Sequence, residues 1–268
     1  MIKAMFFDLD GTLLNSEEKL TCKTIHALAK CKKQGIRLFV ATARPPLLGR
    51  MLSWDDEIFA LFDGGVYYNG GCTILGGQKE YESMRSESLK TLLCELKKDR
   101  DLNIALQLED EVHAIRYPLK PHEYTLWGIY ENEVLALEEA DHKKTVKVFC
   151  YPLSADGKFD PEEILQLGAL VKDEVQFYLI SGEETLQVMR KGVSKELGIE
   201  KIRIECGFLR DEVAVFGDND NDLEMLTAYE NSVAMGNAED QVKRAARYVT
   251  LSNDEDGVAH AIMNIFGI

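Results

Sequence analysis

Asp8 and Asp10 stand two residues apart directly behind the apolar run Ala4-Met5-Phe6-Phe7, and Gly11-Thr12 follows them. In an extended segment residues i and i+2 point to the same side, so the spacing predicts two carboxylates projecting together from a strand end. Two like charges held that close need a cation or a shared proton to offset them. A second acidic run, Gly217-Asp218-Asn219-Asp220-Asn221-Asp222, closes the short apolar strand Val213–Phe216. Its alternating aspartates imitate the start of an EF-hand loop, but that loop requires Gly at its sixth position and Glu at its twelfth. Leu223 and Tyr229 occupy those places, which excludes it. Thr42-Ala43 closes a third apolar run, Ile36–Ala41. Two acidic clusters on one sheet edge predict a hard-cation site of carboxylate oxygens, suited to Mg²⁺ with retained waters and a substrate phosphate.

The elements that must position these groups follow from periodicity. Ala4–Phe7, near-continuously apolar, reads as a strand buried on both faces of a parallel sheet. Thr21 is a fitting N-cap for a helix carrying Cys22, Ile25, Leu28 and Ala29, with Gly35 as its stop. The next strand, Ile36–Ala41, then makes a right-handed parallel crossover. Leu61–Asn69 reads as a third strand ended by Gly70-Gly71. Past Gly76 the pattern changes. Ser86 opens a helix with Leu89, Leu92, Leu93 and Leu96 on one structural face. Alternating strands Asn103–Leu108 and Val112–Tyr117 form a hairpin, and Val146–Tyr151, a helix over Glu162–Val171, and the pair Phe177–Ser181 and Thr185–Met189 joined through Gly182 follow. Crossovers resume from Val213, with a strand at Val233–Met235, a helix through Val242, a strand at Tyr248–Thr250 and a final helix from Asp254. The expected fold is α/β: a doubly wound parallel-sheet core, residues 1–80 and 188–268, interrupted by an inserted α+β domain, residues 81–187. Ligands of such sheets bind at the carboxyl ends of the strands, where all three sites fall.

With 268 residues and 46% hydrophobic composition the chain can bury a large core. A net charge of −15 argues against nucleic-acid backbones and acidic membrane surfaces as partners. There is neither a basic-flanked leader nor an apolar run of about 18 residues. Six scattered cysteines without C-x-x-C suggest reduced thiols rather than disulfides or zinc. A cytoplasmic location is expected, and nothing signals an obligate protein partner.

Taken together, D-L-D-G-T-L-L (from Asp8), A-T-A-R (Ala41–Arg44), K-G-V-S-K (Lys191–Lys195) and G-D-N-D-N-D (Gly217–Asp222) resemble, in order and spacing, the four motifs of the haloacid dehalogenase superfamily of phosphohydrolases. The inserted segment resembles the cap of its Cof-type (IIB) subfamily, and the likeness spans essentially the whole chain. It implies a Rossmann-like core and a Mg²⁺-dependent phosphatase of a small phosphorylated metabolite, with sugar phosphates first among candidates. Asp8 would be the nucleophile that forms an aspartyl-phosphate, and Asp10 the acid that protonates the leaving alcohol and then activates water. Asp8, Asp218 and the backbone carbonyl of Asp10 would hold the metal. Thr42, the amide near Ala43, Lys195 and Asn221 would bind the phosphate. Asp222 would hold the lysine or a metal-bound water. Lys191, Asp220, Arg44 and His26 read as surface or structural groups, and Gly11 as a backbone turn. Two positions depart from the family pattern: Ala43 and Glu196 stand where Gly is common. A phosphosugar mutase is the alternative, and a non-catalytic phosphate-ligand protein or a phosphorylated receiver domain are weaker ones.

Overall fold

Ala4–Phe7 (β1) is wholly buried and takes a parallel partner on each side, which a strand without polar side chains requires. In the computed structural model, which describes residues 1–154, 156–171, 174–180 and 183–268, the chain continues through β2 (Arg37–Ala41), β3 (Gly64–Tyr67), β4 (Cys72–Leu75) and β5 (Gln78–Tyr81). Then come β6 (Leu102–Leu108), β7 (His113–Ile115), β8 (Val134–Ala136), β9 (Thr145–Pro152), β10 (Val175–Ile180) and β11 (Thr185–Arg190). The last strands are β12 (Val213–Gly217), β13 (Asn231–Ala234) and β14 (Tyr248–Val249). Two units result: Met1–Glu80 with Ser194–Ile268, and Tyr81–Val193.

The first unit is built on a sheet of order β14-β13-β12-β1-β2-β3-β4-β5. Its run from β14 to β3 is parallel. Alternate residues of β1 feed opposite faces. Met5 and Phe7 join Leu28 of the helix Cys22–Lys33 and Ile262 of the helix Gly257–Asn264. Phe6 joins Ile199 and Ile202 of the helix Lys195–Cys206, and its ring stacks on Phe39 at 4.6 Å between centroids. Thr21 caps the first helix by accepting from the Thr24 amide. Helices on both faces make the core doubly wound.

Three expectations need correction. The strand read from Leu61 starts only at Gly64, because Asp56–Phe59 forms a short helix whose exit occupies the residues between. The Gly70-Gly71 stop is instead a turn into β4, which pairs antiparallel with β3 and, with β5, widens the sheet. The inserted unit extends beyond residue 187, since β11 runs to Arg190 and stays hydrogen-bonded to β10; residues 188–193 therefore belong to the second unit. The expected strand end Ser181 and the joint at Gly182 lie outside the described residues.

The second unit carries a sheet of order β10-β11-β9-β6-β7-β8. Leu102, Ile104, Leu106, Val148, Cys150, Leu186 and Val188 pack with leucines of the helix Ser86–Leu96. The alternate positions include the buried polar residues Asn103, Gln107, His113, Lys147 and Gln187. Burial draws the His113 imidazole down to about 4, although a hydrogen bond to the Glu111 carbonyl works the other way. An unfolded histidine takes up its proton near 6.5. Between those values the unfolded chain holds more protons, so stability is lost as pH falls from about 6.5 toward 4, by up to about 3 kcal/mol. Calorimetric unfolding should show this loss, and His113→Gln should remove it from the acid limb. An unchanged acid limb in the variant would refute the assignment.

Candidate active site

Asp8 extends the ladder one step beyond β1: its amide donates to the Phe216 carbonyl at 3.0 Å. The backbone then turns back, with the amides of Leu13 and Leu14 bonding to the carbonyls of Asp8 and Leu9. Gly11, at φ +76°, carries this turn, and a Cβ there would come within 2.3 Å of Asp218 Oδ2. The two carboxylates expected to project together differ in exposure. Asp8 is buried, whereas the Asp10 side chain is 52% exposed. Asp10 is instead held by Arg44, whose Nε and Nη2 donate to its two oxygens at 2.8 and 2.5 Å, and Arg44 also reaches Glu18. Arg44 is thus a partner of a candidate catalytic carboxylate, not a solvent-facing group.

Lys195 begins its helix with Ser194 as N-cap and is 1% exposed. Its Nζ lies 2.7 Å from Asp8 Oδ1 and 2.7 Å from Asp222 Oδ1. Lys191, the rival lysine, is exposed. The other oxygen of Asp222 accepts from the amides of Asp218 and Asn219 at 2.9 and 3.1 Å, so Asp222 holds both the lysine and the loop. Gly217 permits this, since a Cβ on it would sit 2.5 Å from the Asp222 side chain. Asp218 accepts from the Thr12 hydroxyl at 2.7 Å.

Thr42 is fully buried past the end of β2, and its hydroxyl accepts from the Arg44 amide at 3.1 Å. Ala43 is not among the residues at positive φ, so alanine in place of glycine brings no left-handed strain here. Glu196 is turned to Arg210 at 3.3 Å. Asn221 donates to Asn69 Oδ1 at 3.1 Å, and its own Oδ1 is buried without a partner among the described residues. Asp220, exposed, accepts from Gln241.

Carboxylate oxygens of Asp8, Asp218 and Asp222 lie within 4.8 Å of one another. Burial pushes Asp8 well above the usual carboxylate range, against the pull of Lys195, and Asp222 and Asp218 add to the rise. Burial likewise lifts Asp218 to about 6 despite the Thr12 hydrogen bond. Burial by itself would lower Lys195, but Asp222 and Asp8 hold it above its ordinary value, so it stays charged. Two buried carboxylates and the half-buried Asp218 stand with one ammonium. The imbalance and the all-oxygen donor set fit a hard divalent cation. Lys195 and Thr12 take one oxygen each of Asp8 and Asp218, which leaves the second oxygens as donors. Asp222, expected to hold the lysine or a metal-bound water, is the third carboxylate of this cluster and does hold the lysine.

Sequence reasoning missed Thr12, Asn69 and the pairing role of Arg44. Thr12 lies inside the quoted D-G-T, and Asn69 holds a left-handed turn at φ 53° ahead of two glycines. Their partners, however, are 206 and 152 residues away, and no local pattern encodes that.

A family model of haloacid dehalogenase-like hydrolases matches residues 5–262. A Haemophilus influenzae protein named "Putative phosphatase" is 30% identical over 97% of this chain and 96% of its own length. The Bacillus subtilis 5-amino-6-(5-phospho-D-ribitylamino)uracil phosphatase YitU is 26% identical over 97% and 96%. The solved structure of the subclass IIB sugar phosphatase BT4131 is similar at a TM-score of 0.79, with 29% identity over 99% of both chains. Fold, site and relatives together define a phosphoric monoester hydrolase with a parallel-sheet core. The chain belongs to the haloacid dehalogenase-like hydrolases.

Proposed function

We propose that the protein is a Mg²⁺-dependent phosphatase of small phosphorylated metabolites, sugar phosphates first among them, working through an aspartyl-phosphate. The observation that carries this reading is the buried Lys195 bridging Asp8 and Asp222, with Asp218 in the same cluster. The side chains of Asp8 and Asp218 and the carbonyl of Asp10 would hold the cation. When bound, it would neutralise charge between an anionic nucleophile and an anionic phosphate.

Of the two Asp8 oxygens, the one free of Lys195 would serve the cation, and Oδ1, beside the Lys195 ammonium, would attack phosphorus. As that bond forms, the ester P–O bond breaks, and Asp10 gives its proton to the departing alkoxide. Arg44 must first hand Asp10 over to the substrate. Asp10 then takes a proton from water, water attacks phosphorus, and the bond to Asp8 breaks with release of inorganic phosphate. Thr42, the Ala43 amide, Lys195 and the amide nitrogen of Asn221 would bind and orient the phosphoryl group. The relatives that act on a ribityl phosphate and on sugar phosphates support a polyhydroxylated substrate.

A panel of phosphorylated metabolites tests the proposal. Phosphate release from sugar phosphates is expected with Mg²⁺, with loss of activity on chelation and recovery on Mg²⁺ addition. Release that persists unchanged in chelator would refute metal dependence. Turnover confined to compounds without hydroxyl groups would refute the substrate class.

A further inference from the structure

Tyr68, Asn69 and Gly70 form a turn in which every residue takes a positive φ, at 51°, 53° and 100°. Left-handed backbone is unfavourable for residues that carry a Cβ, most of all for bulky ones, yet Tyr68 and Asn69 adopt it in succession, both buried. Such strain persists only where the surroundings over-determine it. Here the surroundings are three of the four sequence motifs. The Tyr68 amide donates to the Arg44 carbonyl at 3.0 Å, and the Asn69 amide to the Thr42 carbonyl at 3.0 Å. Gly70 lies so near Ser194, the cap of the Lys195 helix, that a Cβ would come within 2.1 Å of the Ser194 carbonyl oxygen. Asn69 Oδ1 accepts from Asn221 Nδ2 at 3.1 Å. All of these residues belong to the first unit.

The Asn69 side chain does nothing to hold the turn that carries it. Among the described residues its one hydrogen bond goes to Asn221, 152 residues away. Tolerance of left-handed backbone accounts for an asparagine at this position, but not for that contact. Asn221 depends on the bond in turn. Asp222 anchors the surrounding loop through the amides of Asp218 and Asn219, whereas Asn221 Oδ1 is buried with no partner among the described residues. A side-chain amide turns about a broad, roughly two-fold torsion, and its two ends are opposite in function: the nitrogen donates and the oxygen accepts. An oxyanion takes only the nitrogen end. By accepting one Nδ2 proton, Asn69 settles which end of Asn221 is which and leaves the second proton for a phosphoryl oxygen.

We propose that Asn69 is a positioning residue for phosphoryl binding: the left-handed turn carries its amide oxygen to Asn221 and so presets Asn221 as a donor. The inference rests on the role given to Asn221 in the function proposed above.

Asn69→Gly removes the oxygen while keeping both the left-handed backbone and the amide bonded to Thr42. With Mg²⁺ present, its Kd for inorganic phosphate, read by titration calorimetry, should rise about threefold to tenfold, the cost of ordering one free side chain on binding. The kcat/KM for glucose 6-phosphate should fall by the same factor. Asn221→Ala supplies the readout that a merely structural role would not move. On that background Asn69→Gly should change the phosphate Kd by no more than about 1.5-fold, because residues that act through one another do not add. In ¹⁵N-labelled wild-type protein the two Asn221 Nδ2 protons, assigned by their absence in Asn221→Ala, should part on phosphate addition: one shifts saturably, and the one bonded to Asn69 stays. That measurement needs neither turnover nor the Asn69 variant. The expected Kd values and proton shifts in a protein that hydrolyses no ester keep the positioning role and remove the proposed function. An Asn69→Gly effect undiminished in Asn221→Ala, a phosphate Kd unchanged from wild type, or two Nδ2 protons that shift alike or not at all overturns it.

Discussion

Asp8→Asn should lower phosphate release from every active substrate by at least about 10³-fold, the scale on which removal of a catalytic nucleophile acts. The amide keeps the shape of the carboxylate but cannot attack phosphorus. The fold should survive, because two effects oppose each other. Lys195 loses one of its two charged partners at 2.7 Å, while one of three crowded carboxylates is removed. Steady-state phosphate release alongside a thermal unfolding scan reads both quantities. Turnover that persists at the wild-type rate would sink the nucleophile assignment. A collapsed Tm with activity lost only in proportion to folded protein would make Asp8 a structural group.

Lys195→Met should have the largest effect on stability. Removing one member of a buried ion pair strands the other and costs about 3–5 kcal/mol, here with Asp8 and Asp222 both left without the ammonium. For a chain of this size that corresponds to a Tm lower by on the order of 10 °C, and activity should fall at least about 100-fold as the cation beside the phosphoryl oxygens is lost. The pH dependence has a defined sign. Asp8 is already pushed up by burial, and Asp218 to about 6; without Lys195 the native state would hold these protons still more readily than the unfolded chain. Native stability of the variant therefore recovers as pH falls from neutrality toward about 5, and the Tm gap to the wild type narrows. A gap that widens on acidification would contradict the assignment of Lys195 as the counter-charge.

Much of this site was legible before folding because its members are tied to local signals. Asp8, Thr42 and the run from Asp218 each follow an apolar strand and so fall at strand ends whatever the details of packing, whereas Lys195 was legible through the K-G-V-S-K motif and not through the helix it opens. The parallel core was likewise readable from apolar strands separated by helix-period segments. Less was readable where geometry leaves the regular elements. The β4–β5 hairpin follows glycines that also serve as stops, and β11 ends at Arg190 only because β10 pairs with it throughout. Lys147 shows the same limit from the other side. The alternation of Val146, Val148 and Cys150 gives its strand away, but the burial of Lys147, with no ion-pair partner among the described residues, depends on the flanking strands β6 and β11.

The sequence by itself determined which chemical groups are available and that they gather at the carboxyl edge of one parallel sheet, because side-chain period and element order are local properties of the chain. Tertiary structure alone decided what each oxygen faces. Asp8 meets Lys195 and Asp10 meets Arg44, and the backbone that follows them reverses at Gly11. Asp222 enters the carboxylate cluster because Gly217 leaves it room and a lysine 27 residues earlier supplies the charge. Those outcomes are set by close approach between segments far apart in the chain, and no spacing rule within either segment contains them.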